Sequence, residues 1–368
     1  MFQKKVLATL LKENEQFFND LVKVKNSLNA RFYDVEQEIR CLMIAVASGE
    51  TMLLIGPPGT AKSRLIRAFA NLAGLIEDTE LTPEQAPPTG AKRTKLQPLQ
   101  RHPGYFEYLL TPFTEPNELF GYFDIGKLMG KGGDSGGTLQ RIDTNMMQYA
   151  QVVFLDEVFN ASSAILNSLL TFVNERKFHD RGESYEVNLS CLFGATNFPP
   201  KRAELVAIYD RFLLRSWVDN ASSEPAPLSK LLQSGWRETN AATTGERFEN
   251  LLSGAAKFRA GIARLSKDGK LAIDPSDTEV ARLSGYLASL VKHARQRDFS
   301  LMSNRRLVRF TKIFLVSALL DAAEKGNGAP AIEPGRDLML LPRFGMDKPV
   351  SPNELHGFEG LLVGAAGA

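Results

Sequence analysis

The chain has 368 residues, 43% of them apolar and 23% charged, the balance of an ordinary soluble protein with length enough for two domains. Lys and Arg number 44 against 42 Asp and Glu. The net charge of +2 is too small to argue for a bulk binder of nucleic acid or of a membrane surface.

The N-terminus, "MFQKKVLATLLKENEQ", returns to charge after a short apolar run and does not read as a signal peptide. The longest apolar helical patch, "IFLVSALL", is far short of a membrane span. Cys41 and Cys191 lie far apart in apolar stretches and read as buried, reduced thiols of a cytoplasmic protein.

Residues 5–30 read as a polar helix or pair of helices. Val35, Ile39, Leu42, Met43 and Val46 then share one helical face, and Gly49 ends that helix. "TMLLI" (51–55) is a buried strand bounded by Gly-Pro, and "SRLIRAFANLA" a helix. Residues 77–103 read as a loop; its basic run "AKRTKLQPLQR" (91–101) is a solvated surface, or else a pore or nucleic-acid contact. "YFEYLL" (105–110), "QVVFLD" (151–156), "VNLSCLFGATN" (187–197) and "FLLRSWV" (212–218) are further strands, with a helix over 163–175. Strands alternating with helices predict an α/β fold, a parallel sheet covered on both faces. Past Asp219 the composition changes. "NASSEPAPLS" (220–229) reads as a linker, the chain to about 325 as an all-helical second domain, and "GFEGLLVGAAGA" as a poorly ordered end.

"GPPGTAKS" (56–63) sits between a strand and a helix, where backbone N–H groups and the helix N-terminus favour a phosphate. The usual pattern G-x-x-x-x-G-K-[ST] has glycine where this chain has Ala61. At the start of a helix φ can be negative, so a methyl directed away from the phosphates is expected to cost little there. Gly56 and Gly59 keep the turn, Lys62 reaches the β- and γ-phosphates, and the Ser63 hydroxyl binds Mg2+. "VVFLDE" (152–157) ends a buried strand in two acids at the edge where ligands collect. Asp156 would hold the metal through water and Glu157 would polarise the attacking water. Asn197, closing "LFGATN", would position that water. Arg211 and Arg215 in "YDRFLLR" offer charge to the transferring phosphoryl group, against the blander reading of an ion pair with Asp210. Arg305 and Arg306 open a helix, where cations oppose the dipole and a bound phosphate would relieve the conflict.

In order along the chain, "GPPGTAKS", "FLDEVFNASSAILNSLLTFVNERKFH", "GATNFP", "AIYDRFLLR" and "MSNRR" resemble a MoxR-type AAA+ ATPase, most closely the RavA branch, over about residues 30–345. That resemblance implies an αβα P-loop core with a parallel five-stranded sheet (31–219) and an all-helical lid (220–345), flanked by an N-terminal helical segment (1–30) and a flexible tail (346–368). It implies that ATP lies against Pro58, Gly59, Thr60, Ala61, Lys62, Ser63 and Asp156, with Mg2+ at Ser63 and, through water, at Asp156. Glu157, Asn197, Arg211 and Arg305 match its catalytic set, Arg211 acting on a neighbouring subunit, and Arg306 leaves the last assignment open by one residue. The stretch 119–142 resembles the hairpin inserted in the second helix, and 178–187 the hairpin before Asn197. The resemblance further implies a homo-oligomer, commonly a hexameric ring, that remodels a partner protein, often one with a von Willebrand A domain. It does not extend to the partner-binding C-terminal extension of RavA proteins. "LTPF" (110–113) stands where relatives often have "LTRF", removing a basic contact. A nucleic-acid motor and a nucleotide-gated scaffold with little turnover are the alternatives; near-neutral charge disfavours the first and the intact Glu157 the second. ATP against GTP stays open.

Overall fold

The computed structural model describes residues 2–76, 103–129, 140–180, 182–200, 203–220, 224–240, 246–326 and 328–364. Helices α1 (Lys4–Glu13), α2 (Glu15–Arg31) and α3 (Glu36–Ser48) precede strand β1 (Met52–Ile55), which leads into α4 (Lys62–Leu72). After β2 (Tyr105–Leu109) come α5 (Pro116–Phe120), β3 (Tyr122–Phe123), α6 (Ile125–Leu128) and β4 (Arg141–Ile142), with β3 and β4 paired as a ribbon. Next are β5 (Val152–Asp156), α7 (Ser163–Glu175), the hairpin of β6 (Lys177–Asp180) and β7 (Glu183–Glu186), β8 (Cys191–Thr196), α8 (Ala203–Tyr209) and β9 (Leu214–Trp217). The remainder is helical: α9 (Pro225–Asn240), α10 (Leu251–Lys267), α11 (Thr278–Gln296), α12 (Asn304–Glu324), α13 (Leu340–Phe344) and α14 (Pro352–Gly364).

Five strands form one parallel sheet in the order β2-β5-β8-β1-β9. Met52 lies opposite Phe193 on one side and Leu214 on the other, so β1 is flanked along its length. Side chains alternate between the two faces of a strand. Met52, Leu54, Val152, Phe154, Cys191 and Phe193 join a core with α2, α3 and α4, while Leu53, Ile55, Val153, Leu155 and Leu192 join another with α7 and α8. Burial on both faces is why these strands read as unbroken apolar runs. The expected α/β architecture is therefore present. It brings the turn after β1, the end of β5 and the end of β8 to the same carboxyl edge of the sheet.

Four expectations change. The N-terminal helices are not merely polar: Phe17, Leu21, Val24 and Leu28 form a buried stripe at helical spacing, packed with α10 and α12. The same core runs from the sheet through α2 and α3 into the later helices, so the chain after 220 shares its apolar interior with the sheet. Within the stretch read as a linker, α9 begins at Pro225, since proline is well tolerated at the first helical position. The flexible tail predicted over 346–368 instead contains α14, whose Phe358 is buried against His293 and Phe299. The basic run 91–101 lies outside the described residues. No helix among the described residues is long and apolar enough to cross a membrane.

Candidate nucleotide site

The turn between β1 and α4 is pinned at its start by the Gly56 N–H, which donates to Thr196 O at the end of β8 (3.1 Å). A Cβ at Gly56 would lie 1.9 Å from Val218 O, so the loop can pass β9 only as glycine. Gly59 has φ +87°, with open space around it. Ala61 caps α4 with φ +59°, left-handed rather than the negative value expected for it. The loop has to reverse there before the first helical bond, Leu65 N–H to Ala61 O (2.9 Å), can form. An alanine in that region carries a penalty on the order of 1 kcal/mol that glycine escapes.

Lys62 is only 8% exposed. Its Nζ donates to Gly56 O (2.7 Å) and Pro57 O (2.8 Å), and lies 3.4 Å from both Thr60 Oγ1 and Asn197 Oδ1. Burial pushes its pKa down, against the pull of Asp156 and Glu157. The Ser63 hydroxyl donates to Asp156 Oδ2 (3.1 Å). Consecutive residues of a strand would send their carboxylates to opposite faces. Here Glu157 breaks the strand with φ +51°, and its N–H donates to Asp156 Oδ1 (3.0 Å). Its carboxylate accepts from Asn197 Nδ2. Burial, then the neighbouring Asp156, raise the Glu157 pKa, while Asn197 and Lys62 pull it down. Lys62, Ser63, Asp156, Glu157 and Asn197 thus meet in one hydrogen-bonded group.

The arginines do not join it. Arg211 is half-buried beside Leu155, Val158 and Phe212, and its carbonyl accepts from Thr51 Oγ1 (2.5 Å). Arg215 is withdrawn as a phosphate contact: it is 1% exposed, pairs with Asp347, and lies over the Tyr209 ring at 3.7 Å. Burial and the neighbouring Arg306 bring its pKa down to about 9. Arg306 is likewise buried on Asp347 (2.9 Å), whereas Arg305 is exposed and has no hydrogen bond or ion pair among the described residues. Of the two, only Arg305 is exposed to solvent.

One part of the site was missed in the sequence. Beside the loop lies a cleft of about 240 Å³, flanked by Thr60 and Ala61, by Tyr33 and Val35 before α3, and by Leu231 and Ser234 of α9. Part apolar and part polar, it could take a nucleoside next to the phosphate loop. The aromatic pair in "RFYDV" (31–35) was the available signal, but only tertiary packing puts it beside residue 60.

The residues fit a triphosphate with its metal. A hydroxyl and a carboxylate at the loop suit Mg2+, which keeps waters and phosphate oxygens as most of its ligands. Among the described residues no group of three or more His, Cys, Asp or Glu is placed to hold a metal alone.

This sheet order, loop and strand-end acid pair define a P-loop protein of the AAA+ type. Residues 19–82 and 84–253 match the family described as the MoxR domain in the MoxR-vWA-beta-propeller ternary systems. The chain belongs to this family of MoxR-type AAA+ ATPases. It is similar to the uncharacterised protein MJ0079 of Methanocaldococcus jannaschii, 35% identical over 312 residues, which cover 85% of this chain and 68% of the relative. A second uncharacterised protein of that organism, MJ0812, is 36% identical over 212 residues, 58% of this chain and 48% of its own length. A crystal structure from Cytophaga hutchinsonii, provisionally described as an ATPase, superposes with a TM-score of 0.59 over 97% of both chains. At 14% identity that likeness speaks for the fold alone.

Proposed function

We propose that this protein is a Mg2+-dependent ATPase that works on a partner protein, and that the 56–63 loop with the ends of β5 and β8 is its active site. The observation that carries the reading is the shared hydrogen bonding of Ser63, Asp156, Glu157, Asn197 and Lys62 at one sheet edge. Lys62 would exchange the carbonyls of its own loop for the β- and γ-phosphates. The turn formed by Pro58, Gly59, Thr60 and Ala61 would wrap the phosphate chain. Ser63 would ligate the metal and Asp156 would hold it through water. Glu157, oriented by Asn197, would polarise the attacking water and take its proton. Magnesium, when bound, supplies positive charge to the phosphoryl oxygens.

Arg305, at the start of α12, would reach the phosphates and link the helical part (220–345) to the sheet part (31–219). Arg211 would serve the site of a neighbouring copy, in a ring that the family resemblance suggests is hexameric. The family description, with its MoxR-vWA systems, supports a partner carrying a von Willebrand A domain, as does the RavA-like pattern of motifs. Two buried free cysteines fit a cytoplasmic setting.

The test is Glu157→Gln. It should keep ATP affinity and lower turnover by at least about 100-fold, the scale of a lost general base. Turnover unchanged in this variant would remove Glu157 from the chemistry. The same variant, held in ATP, should retain a partner protein in affinity capture; recovery of nucleic acid alone would overturn the partner reading.

A further inference from the structure

Arg215 at edge strand β9 and Arg306 in the first turn of α12 both direct Nη1 at the same atom, Asp347 Oδ1. Arg306 also donates to Gly345 O and lies 3.4 Å from Ser300 Oγ. Arg215 Nη2 donates to Tyr209 O (2.7 Å). The Tyr209 hydroxyl donates to Asp347 O (3.0 Å), and the Asp347 N–H donates to Phe299 O (3.0 Å). Asp347, in the segment between α13 and α14, therefore ties together the end of α8, strand β9, the turn after α11 and the start of α12.

The arrangement is costly as a source of stability. The two guanidiniums are 1% and 2% exposed and share one carboxylate, and burial holds their pKa values down to about 9 and about 10. Apolar side chains of similar volume often hold a fold as well or better. What charged forks add is direction, because a guanidinium bonds its partner in a fixed plane. The direction set here is that of the first turn of α12. Arg305 is the next residue to Arg306 on that turn, it is exposed, and it is bonded to nothing among the described residues. Any rotation of the turn that moves Arg306 moves Arg305 with it.

We propose that Asp347 is a positioning residue: by holding Arg306 against Arg215 it aims Arg305 at the nucleotide. The inference rests on the reading of Arg305 given above and adds the group that orients it.

The test is a double-mutant cycle on the full chain, read by the affinity for a fluorescent ATP analogue with Mg2+ and, separately, by thermal melting. Asp347→Asn should weaken binding about tenfold in the parent and less than about twofold in an Arg305→Ala background, the signature of two residues acting as one. Should Asp347→Asn fold poorly, Tyr209→Phe removes only the hydroxyl that holds the Asp347 carbonyl, and should give a smaller loss with the same dependence on Arg305. A merely structural role would lower the melting temperature and leave affinity unchanged, or weaken affinity equally in both backgrounds; either result overturns the proposal. If Arg305→Ala alone leaves affinity unchanged, the reading of Arg305 fails first and the positioning role goes with it. If Arg305→Ala weakens binding and neither second variant does, only the positioning role fails.

Discussion

The Ser63 hydroxyl donates to Asp156 across 3.1 Å, joining the first turn of α4 to the last residue of β5. In the proposed site this pair would face the metal carried by a bound triphosphate. Ser63→Ala is expected to weaken ATP binding in Mg2+ about tenfold, or 1.4 kcal/mol, and to leave the weak binding in a chelator unchanged. Titration calorimetry with and without the chelator checks both halves.

The raised pKa of Glu157 has a kinetic sign. A carboxyl that keeps its proton to higher pH stops acting as a base sooner as pH falls, so the acid limb of kcat/KM, which reports the unliganded protein, should lie above the ordinary glutamate value of 4.5. Asn197 pulls that pKa down. Asn197→Ala should therefore shift the acid limb further upward as well as lower the plateau. A pH–rate profile of the two proteins decides it, and a limb that stays put or moves down would contradict the assignment.

Ala61 holds a left-handed conformation that glycine adopts freely. Its methyl packs at the margin of the core, which offsets part of the gain. Ala61→Gly should raise stability by roughly 0.5 kcal/mol and leave nucleotide affinity within about twofold. Denaturant unfolding measures the first, and a loss of stability would mean that the methyl contact outweighs the backbone strain.

Arg305 and Arg306 should separate cleanly. Arg306→Ala removes a buried partner of Asp347 and is expected to cost about 2 kcal/mol or more. Arg305→Ala alters an exposed side chain and should stay within about 0.5 kcal/mol of the parent in stability while weakening nucleotide binding. The reverse pattern would return the phosphate contact to Arg306.

Most of the site was legible in the sequence because each part is a local signal. A short apolar run fixes a strand, and the residues closing that run sit at or near the sheet edge: Lys62 and Ser63 after β1, Asp156 and Glu157 at β5, Asn197 after β8. The positive φ values of Ala61 and Glu157 were not legible, because neither residue type asks for that conformation and the surrounding loop imposes it. Residue type could not separate Arg215 and Arg306 from Arg211 and Arg305 either; only burial on Asp347 does. The cleft beside residue 60 and the burial of Phe358 depend on segments far apart in the chain, and so had no local mark.

The most direct measurement is ATP binding by calorimetry in Mg2+ for the parent and for Lys62→Ala. The proposed site predicts a saturable, metal-dependent association in the parent and an affinity at least about 30-fold lower in the variant, some 2 kcal/mol. Equal affinity in the two proteins, or no association in the parent, would contradict it.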